Sequence, residues 1–299
     1  MHTTDKRVQF DFEIDFSNGG GIQGQGFRLD IDADTIADQA LADYIVRDMR
    51  LLMVGEVRIL NKTIITEAHK RNRPALSVGT RLIDCSHVIE DGMITYKGLP
   101  GPIVCDYLSR EASRKVYAAG TEFHIGKIEL VANTGTYIDS PFHRYADGID
   151  IAALPLDAIA NLPGVLVEAT RRDGRAISRE VFNDVDVWGK AVLVRTGWSA
   201  HWRTDTYFEG HPHLTADAAE FLLKAGAKLV GIDSYNIDNT DTGERPVHTA
   251  LLGAGIPIVE HLCNLESVPV ADFRFYAVPA PIKGMGTFPV RAFARVEAT

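Results

Sequence analysis

Residues able to move protons or hold a cation crowd into one stretch of eleven, Asn133-Thr-Gly-Thr-Tyr137-Ile-Asp139-Ser-Pro141-Phe-His143. Gly135 and Pro141 punctuate it, so the Asp139 carboxylate and the His143 imidazole are expected on a bent, rigid segment that follows an apolar strand. An imidazole of ordinary pKa, about 6.5, exchanges a proton at neutral pH, which makes His143 the candidate general acid or base. Tyr137 and Asn133 carry donors suited to a developing oxyanion or a substrate carbonyl. The plainer alternative for these two is that they fill space. A second informative region is Arg245-Pro-Val-His248 through Ile258-Val-Glu260. His248 is expected to open a short helix and Glu260 to end an apolar strand, and element ends are where α/β proteins form pockets.

The frame made by Thr134, Gly135, Thr136, Asp139, Pro141 and His143 resembles the signature H-x-G-T-H-x-D-x-P-x-H of the cyclase family of metal-dependent hydrolases, the group of bacterial kynurenine formamidase and isatin hydrolase. Leu82-Ile-Asp84-Cys-Ser-His87 and Arg195-Thr-Gly197-Trp198 are similar to that family's LIDLSH and LRTGW phrases, and the separation of His248 from Glu260 matches its second ligand pair. The similarity runs from Arg81 to the C-terminus. It implies an α/β fold of the swivelling β/β/α kind, homo-oligomerisation, and hydrolysis of a C–N bond (amide, formamide or cyclic imide) or a C–O bond (lactone) in a small molecule.

Two positions depart from the signature: Asn133 and Tyr137 stand where the family places metal-binding histidines. Carried over residue by residue, the resemblance leaves Asp139, His248 and Glu260 as a complete ligand set. An amide and a phenol substitute poorly for two imidazoles around zinc. At most one divalent ion, zinc or manganese, is therefore expected, with His143 as acid/base. Such an ion lowers the pKa of bound water towards about 7 and polarises a carbonyl. Two other readings stay open on the same fold, a metal-free small-molecule-binding protein and a metal-independent lyase or isomerase that uses His143 with Tyr137.

Around these residues the elements follow from pattern. Val8 to Phe16 and Ile22 to Ile31 alternate on either side of Gly19-Gly20-Gly21, the sign of a hairpin. Ile36, Ala40, Leu41, Tyr44, Ile45, Met49 and Leu52 have helical spacing from about Asp34 or Thr35, and Val57 to Ile65 reads as a strand. Residues 1–78 thus form a small α+β module without convergent acids or bases, an accessory or oligomerisation unit, joined through the connector His69 to Pro74 to a hydrolase domain, 79–299. Within the latter, Asp106 to Ala118 reads as an irregular rim or lid, Phe123 to Val131 as a strand carrying His124, and Trp198, Trp202, Tyr207 and Phe208 as a loop cluster. Thr215 is placed to cap a helix over 216–225, and Lys228 to Asp233 follows as a strand.

Composition narrows the partners. With 299 residues, 45% hydrophobic and 24% charged, the chain is ordinary for a globular protein, and its net charge of -9 argues against nucleic acid or an anionic membrane surface. No apolar run approaches the length of a bilayer span and the N-terminus lacks a signal core, so a cytoplasmic location and a small-molecule substrate are expected. Three scattered cysteines, Cys85, Cys105 and Cys263, indicate neither a disulfide framework nor a thiolate zinc site, and read as buried thiols.

Overall fold

The computed structural model describes residues 5–31, 35–49, 51–67, 80–170 and 174–297. The chain divides into two compact units, Met1–Val78 and Gly79–Thr299. The expected connector His69 to Pro74 lies outside the described residues.

In the first unit, β1 (Asp5–Phe16), β2 (Gly21–Ile31) and β3 (Val54–Glu67) form an antiparallel sheet in the order β2-β1-β3, with α1 (Asp38–Asp48) between β2 and β3 in sequence. Alternation puts Val8, Phe10, Phe12 and Ile14 on one face, where they pack with Leu41 and Ile45 of the helix. The helix is shorter than its apolar spacing suggests. Leu52 lies beyond its end and is exposed.

The second unit contains β4 (Thr80–Asp84), β5 (Ile103–Leu108), α2 (Arg110–Ser113), β6 (Ile125–Glu129), β7 (Tyr137–Asp139), β8 (Leu162–Glu168), β9 (Ala176–Ile177), β10 (Ala191–Arg195), β11 (His213–Leu214), α3 (Ala216–Lys224), β12 (Leu229–Ile232), α4 (Pro246–Gly253), β13 (Ile258–Glu260), β14 (Phe273–Tyr276), β15 (Thr287–Pro289) and β16 (Phe293–Glu297). Nine strands build one mixed sheet in the order β15-β7-β13-β12-β10-β8-β14-β16-β4, whose centre, β13-β12-β10-β8, is parallel. Central strands covered on both faces read as unbroken apolar runs. In β10, Ala191 and Leu193 enter one core while Val192 and Val194 enter the other, beside Leu222 of α3 and Leu251 of α4. Each such fully buried Val or Leu contributes roughly 1.5–3 kcal/mol.

Three local expectations are corrected. The stretch from Asp106 is not irregular: β5 pairs with β6 in a separate antiparallel ribbon, and Ser109 caps α2 by accepting from the Ala112 N–H. Thr215 occupies the N-cap of α3, yet its hydroxyl donates to the Ile177 carbonyl instead of capping. Cys85 and Cys263 are buried thiols as expected, but Cys105 is exposed on the ribbon. Among the described residues no helix is long and apolar enough to cross a membrane.

Candidate active site

The edge of the sheet assembles the site through register. β7 runs antiparallel between β13 and β15, and Gly135 turns the chain into it with φ +69°, where a Cβ would stand 2.8 Å from Ile89. Ile138 points into the core, so Tyr137 and Asp139 share the opposite face. Tyr137 lies opposite Glu260 of β13, and Asp139 opposite Thr287 of β15. Two cross-strand side-chain bonds result. The Tyr137 hydroxyl donates to Glu260 Oε2 at 2.6 Å, and the Thr287 hydroxyl donates to Asp139 Oδ1.

His248 arrives from α4, which Pro246 starts. Asp238 fixes it three ways: Oδ1 accepts from the Val247 N–H at 2.8 Å, while Oδ2 accepts from the His248 N–H at 3.0 Å and from Nδ1 at 2.6 Å. With Nδ1–H so used, Nε2 is directed between Asp139 Oδ2, 3.6 Å away, and Glu260 Oε1, 3.8 Å away. His143 follows β7 in a single 3₁₀ turn. Thr287 has already given its only hydrogen to Asp139, so it accepts from His143 Nδ1–H at 2.8 Å, which leaves the His143 Nε2 lone pair free.

These groups are closely coupled. Asp139 and Glu260 are 0% and 1% exposed and His248 5%, whereas the His143 side chain keeps 36% of its surface in solvent. Burial works against a charged Asp139, but the nearby His248 and His143 and the Thr287 hydroxyl together outweigh it and hold the carboxyl below its ordinary value. Burial likewise opposes a charged His248, and the surrounding Asp139, Asp238 and Glu260 overcome this to push it up to about 10. Glu260 is lifted to about 7, chiefly by burial and against the pull of His248.

A cavity of about 640 Å³ opens over this group, and Asn133, Tyr137, His143, His248 and Glu260 all contribute to its wall. The structure therefore brings all six sequence-derived residues to one place. The Tyr137 hydroxyl lies buried in that wall and donates its hydrogen to Glu260, which occupies the donor expected to meet an oxyanion. Glu260 accepts from Tyr137 on Oε2 and from the Ile237 N–H on Oε1 at 2.6 Å. Among the described residues, the three that offer donor atoms all within 4.8 Å of one another are Asp139, His143 and His248.

A cation suits this donor set. Asp139 Oδ2 is buried without a hydrogen-bond partner, a costly condition that an ion between it and His248 Nε2 relieves. Two imidazoles and a carboxylate with open positions suit zinc, manganese or iron. Asp238 and Thr287, which orient the two histidines, escaped sequence reasoning. A carboxylate ten residues before a histidine carries no signal, and Thr287 is disclosed only by the pairing of β15 with β7.

Other histidines stay out of the cavity wall. His124 is exposed and bonded to Asp106, and His87 stacks on Trp202 with ring centres 3.9 Å apart, its pKa lowered to about 4 by burial. Trp202 and Tyr207 pack edge-on with His261, plugging the core edge and leaving the cavity to other residues.

Gly286 marks where the strands press closest on the site. Its carbonyl accepts from the Ser140 N–H at 2.7 Å, and a Cβ there would stand 2.5 Å from both Cα and N of His143. Backbone cannot yield as a flexible side chain does. Gly286→Ala is thus expected to displace His143 and lower kcat/KM about tenfold, since small misplacements at reacting groups are expensive, while far-ultraviolet circular dichroism stays unchanged. Unaltered kcat/KM would show that the 141–143 turn moves freely.

Residues 83–239 match the family model described as "Putative cyclase". Kynurenine formamidase of Bacillus cereus is 30% identical over 217 residues, covering 71% of this chain and 96% of its own length. That of Bacillus anthracis is 28% identical over 218 residues, covering 72% and 98%. Among solved structures, isatin hydrolase A from Labrenzia aggregata bound to benzyl benzoate aligns with a TM-score of 0.63 at 20% identity, over 73% of this chain and 94% of that one. A predicted metal-dependent hydrolase from Bacillus stearothermophilus aligns with a TM-score of 0.58 at 26% identity, over 72% and 98%.

Proposed function

The chain belongs to the cyclase family, and from that membership and the geometry above we propose a metal-dependent amidohydrolase that cleaves a formamide or cyclic amide C–N bond in a small molecule. The observation that carries this reading is the buried, unpartnered Asp139 Oδ2 beside the aimed Nε2 of His248. Asp139, His143 and His248 would hold one zinc or manganese ion, which when bound polarises a carbonyl and acidifies water. Tyr137 takes the volume and the hydrogen bond that a second ion would need at Glu260.

The remaining chemistry belongs to the protein's own groups. Glu260 Oε1 faces the cavity 3.8 Å from His248 Nε2 and is the acceptor for a proton from attacking water. Its other oxygen stays in the Tyr137 bond, which fixes the carboxylate plane. Asp238 and Thr287 keep the two imidazoles in single tautomers. Asn133 lines the wall and positions the substrate carbonyl.

Elemental analysis of the purified protein is expected to find about one transition metal per chain, and chelation to abolish hydrolysis of an aryl formamide. A metal-free protein whose hydrolysis ignores chelators would sink the proposal in favour of a metal-independent enzyme.

Three wider features go with this reading. The ribbon β5–β6 exposes Ile103, Val104, Tyr107, Ile125 and Ile128, which supports association with a second copy, because a lone two-stranded ribbon is marginally stable in water. The first unit offers no metal-ligating cluster among its described residues, in keeping with an accessory or contact role. The unpaired cysteines suit a cytoplasmic location.

A further inference from the structure

The cavity that holds the acidic group also carries two arginines, Arg144 and Arg245. Among the described residues neither is ion-paired to a carboxylate, although the protein as a whole is acidic and several other described arginines have acidic partners, such as Arg195 with Glu168 and Arg203 with Glu90. Unpaired guanidinium groups in a pocket wall are recognition groups in waiting, because the planar fork matches a carboxylate on two hydrogen bonds.

Both are held in place without being neutralised. Arg144 follows His143 directly. Its Nε donates to Thr249 Oγ1 at 3.3 Å, its Cζ stands 5.3 Å from the Tyr145 ring centre, and Thr249 follows His248. The guanidinium is therefore tethered next to two members of the proposed ligand set, with no hydrogen bond from Nη1 or Nη2 to any of the described residues. Arg245 is braced by its Nη1, which donates to the carbonyls of Asn239, Thr242 and Glu244 at 3.1, 2.8 and 2.7 Å. Carbonyls orient the charge without cancelling it. Besides Glu260, the lining holds one further acid, Glu244, which is exposed.

We infer that the substrate is an anion: a small amide or formamide bearing a carboxylate, which Arg144 binds directly while Arg245 supplies a fixed positive field on the same wall. This rests on the amidohydrolase reading and names its substrate class. A negatively charged protein repels such a molecule in general, so a local pair of cations is what admits it. The bonds formed are charge-assisted, and losing one costs about tenfold or more in binding.

The test uses the metal-loaded full chain with 2-, 3- and 4-formamidobenzoate and their neutral carboxamides. At least one benzoate is expected to be hydrolysed with a kcat/KM ten or more times that of its carboxamide. In Arg144→Gln that ratio should collapse towards one, mainly through a higher KM for the benzoate, and Arg144→Lys should recover part of it. Equal kcat/KM for acid and carboxamide, or a preference that survives in Arg144→Gln, overturns the inference while leaving the amidohydrolase standing. If no member of the panel is hydrolysed, the amidohydrolase reading falls instead, and calorimetric titration of the same pairs decides the inference alone. Tighter binding of a benzoate that weakens about tenfold in Arg144→Gln supports it, and indifference to the carboxylate refutes it.

Discussion

His248→Ala is expected to fold, to retain no bound metal and to lose at least about a thousandfold in turnover. Loss of an outer partner of a metal ligand already costs roughly 10–100-fold, and removing the ligand itself exceeds that. The helix should survive, because Asp238 Oδ1 and Oδ2 still accept from the main-chain N–H groups of residues 247 and 248. What disappears is the one buried imidazole around which the carboxylates gather, Asp238 on Nδ1 and Asp139 and Glu260 facing Nε2. In the metal-free protein those carboxylates hold His248 as a cation, with its pKa pushed up to about 10. An arriving ion must displace that proton. Below about pH 10 the wild type's metal affinity accordingly rises with pH, and uptake releases about one proton, measurable by calorimetry in buffers of different ionisation enthalpy. Full metal content in His248→Ala, by mass spectrometry of the native protein, would remove this residue from the site.

Much of this was legible in the chain. Asp139, His143, His248 and Glu260 stand out by type and spacing, and α4 and β13 follow from a proline-led turn into His248 and an apolar run ending in Glu260, whereas β7 reads only as a bent segment. The alternation of Val8, Phe10, Phe12 and Ile14 likewise announced the first unit's sheet. What could not be read was partnership. The short strand Tyr137–Asp139 pairs with two strands more than a hundred residues away, and a one-residue slip in either register exchanges the faces. Only that register sets Tyr137 against Glu260 and Thr287 against Asp139, and so gives the Tyr137 hydroxyl to Glu260 and the Thr287 hydroxyl to Asp139. Of the β5–β6 ribbon, β6 lies within the strand expected from Phe123 to Val131, but β5 escaped for the complementary reason. It has exposed apolar residues on both faces, and so lacks the period-two contrast that identifies a half-buried strand.

The proposed placement of His143 in the ligand set and of Glu260 as proton acceptor yields the second large effect. Glu260→Gln keeps the size of the side chain and an oxygen for the Tyr137 or Ile237 bond, so the fold and the ion should both persist, at about one metal per chain. The amide cannot accept water's proton. Turnover should then fall by roughly 10²–10⁴, the usual share of general acid–base catalysis. His143→Ala should behave oppositely, losing the ion along with activity, because His143 is one of three residues whose donor atoms lie within 4.8 Å of one another, and the most exposed of the three. Thr287 would then keep its bond to Asp139 but lose the imidazole it orients. Metal content measured beside kcat in the two variants separates the arrangements. An ion lost from Glu260→Gln and kept in His143→Ala would return Glu260 to the ligand set and leave His143 as the proton-transfer group. Joint retention with joint loss of turnover would mean that Asp139 and His248 alone suffice to hold the ion, with both flanking residues acting on the substrate.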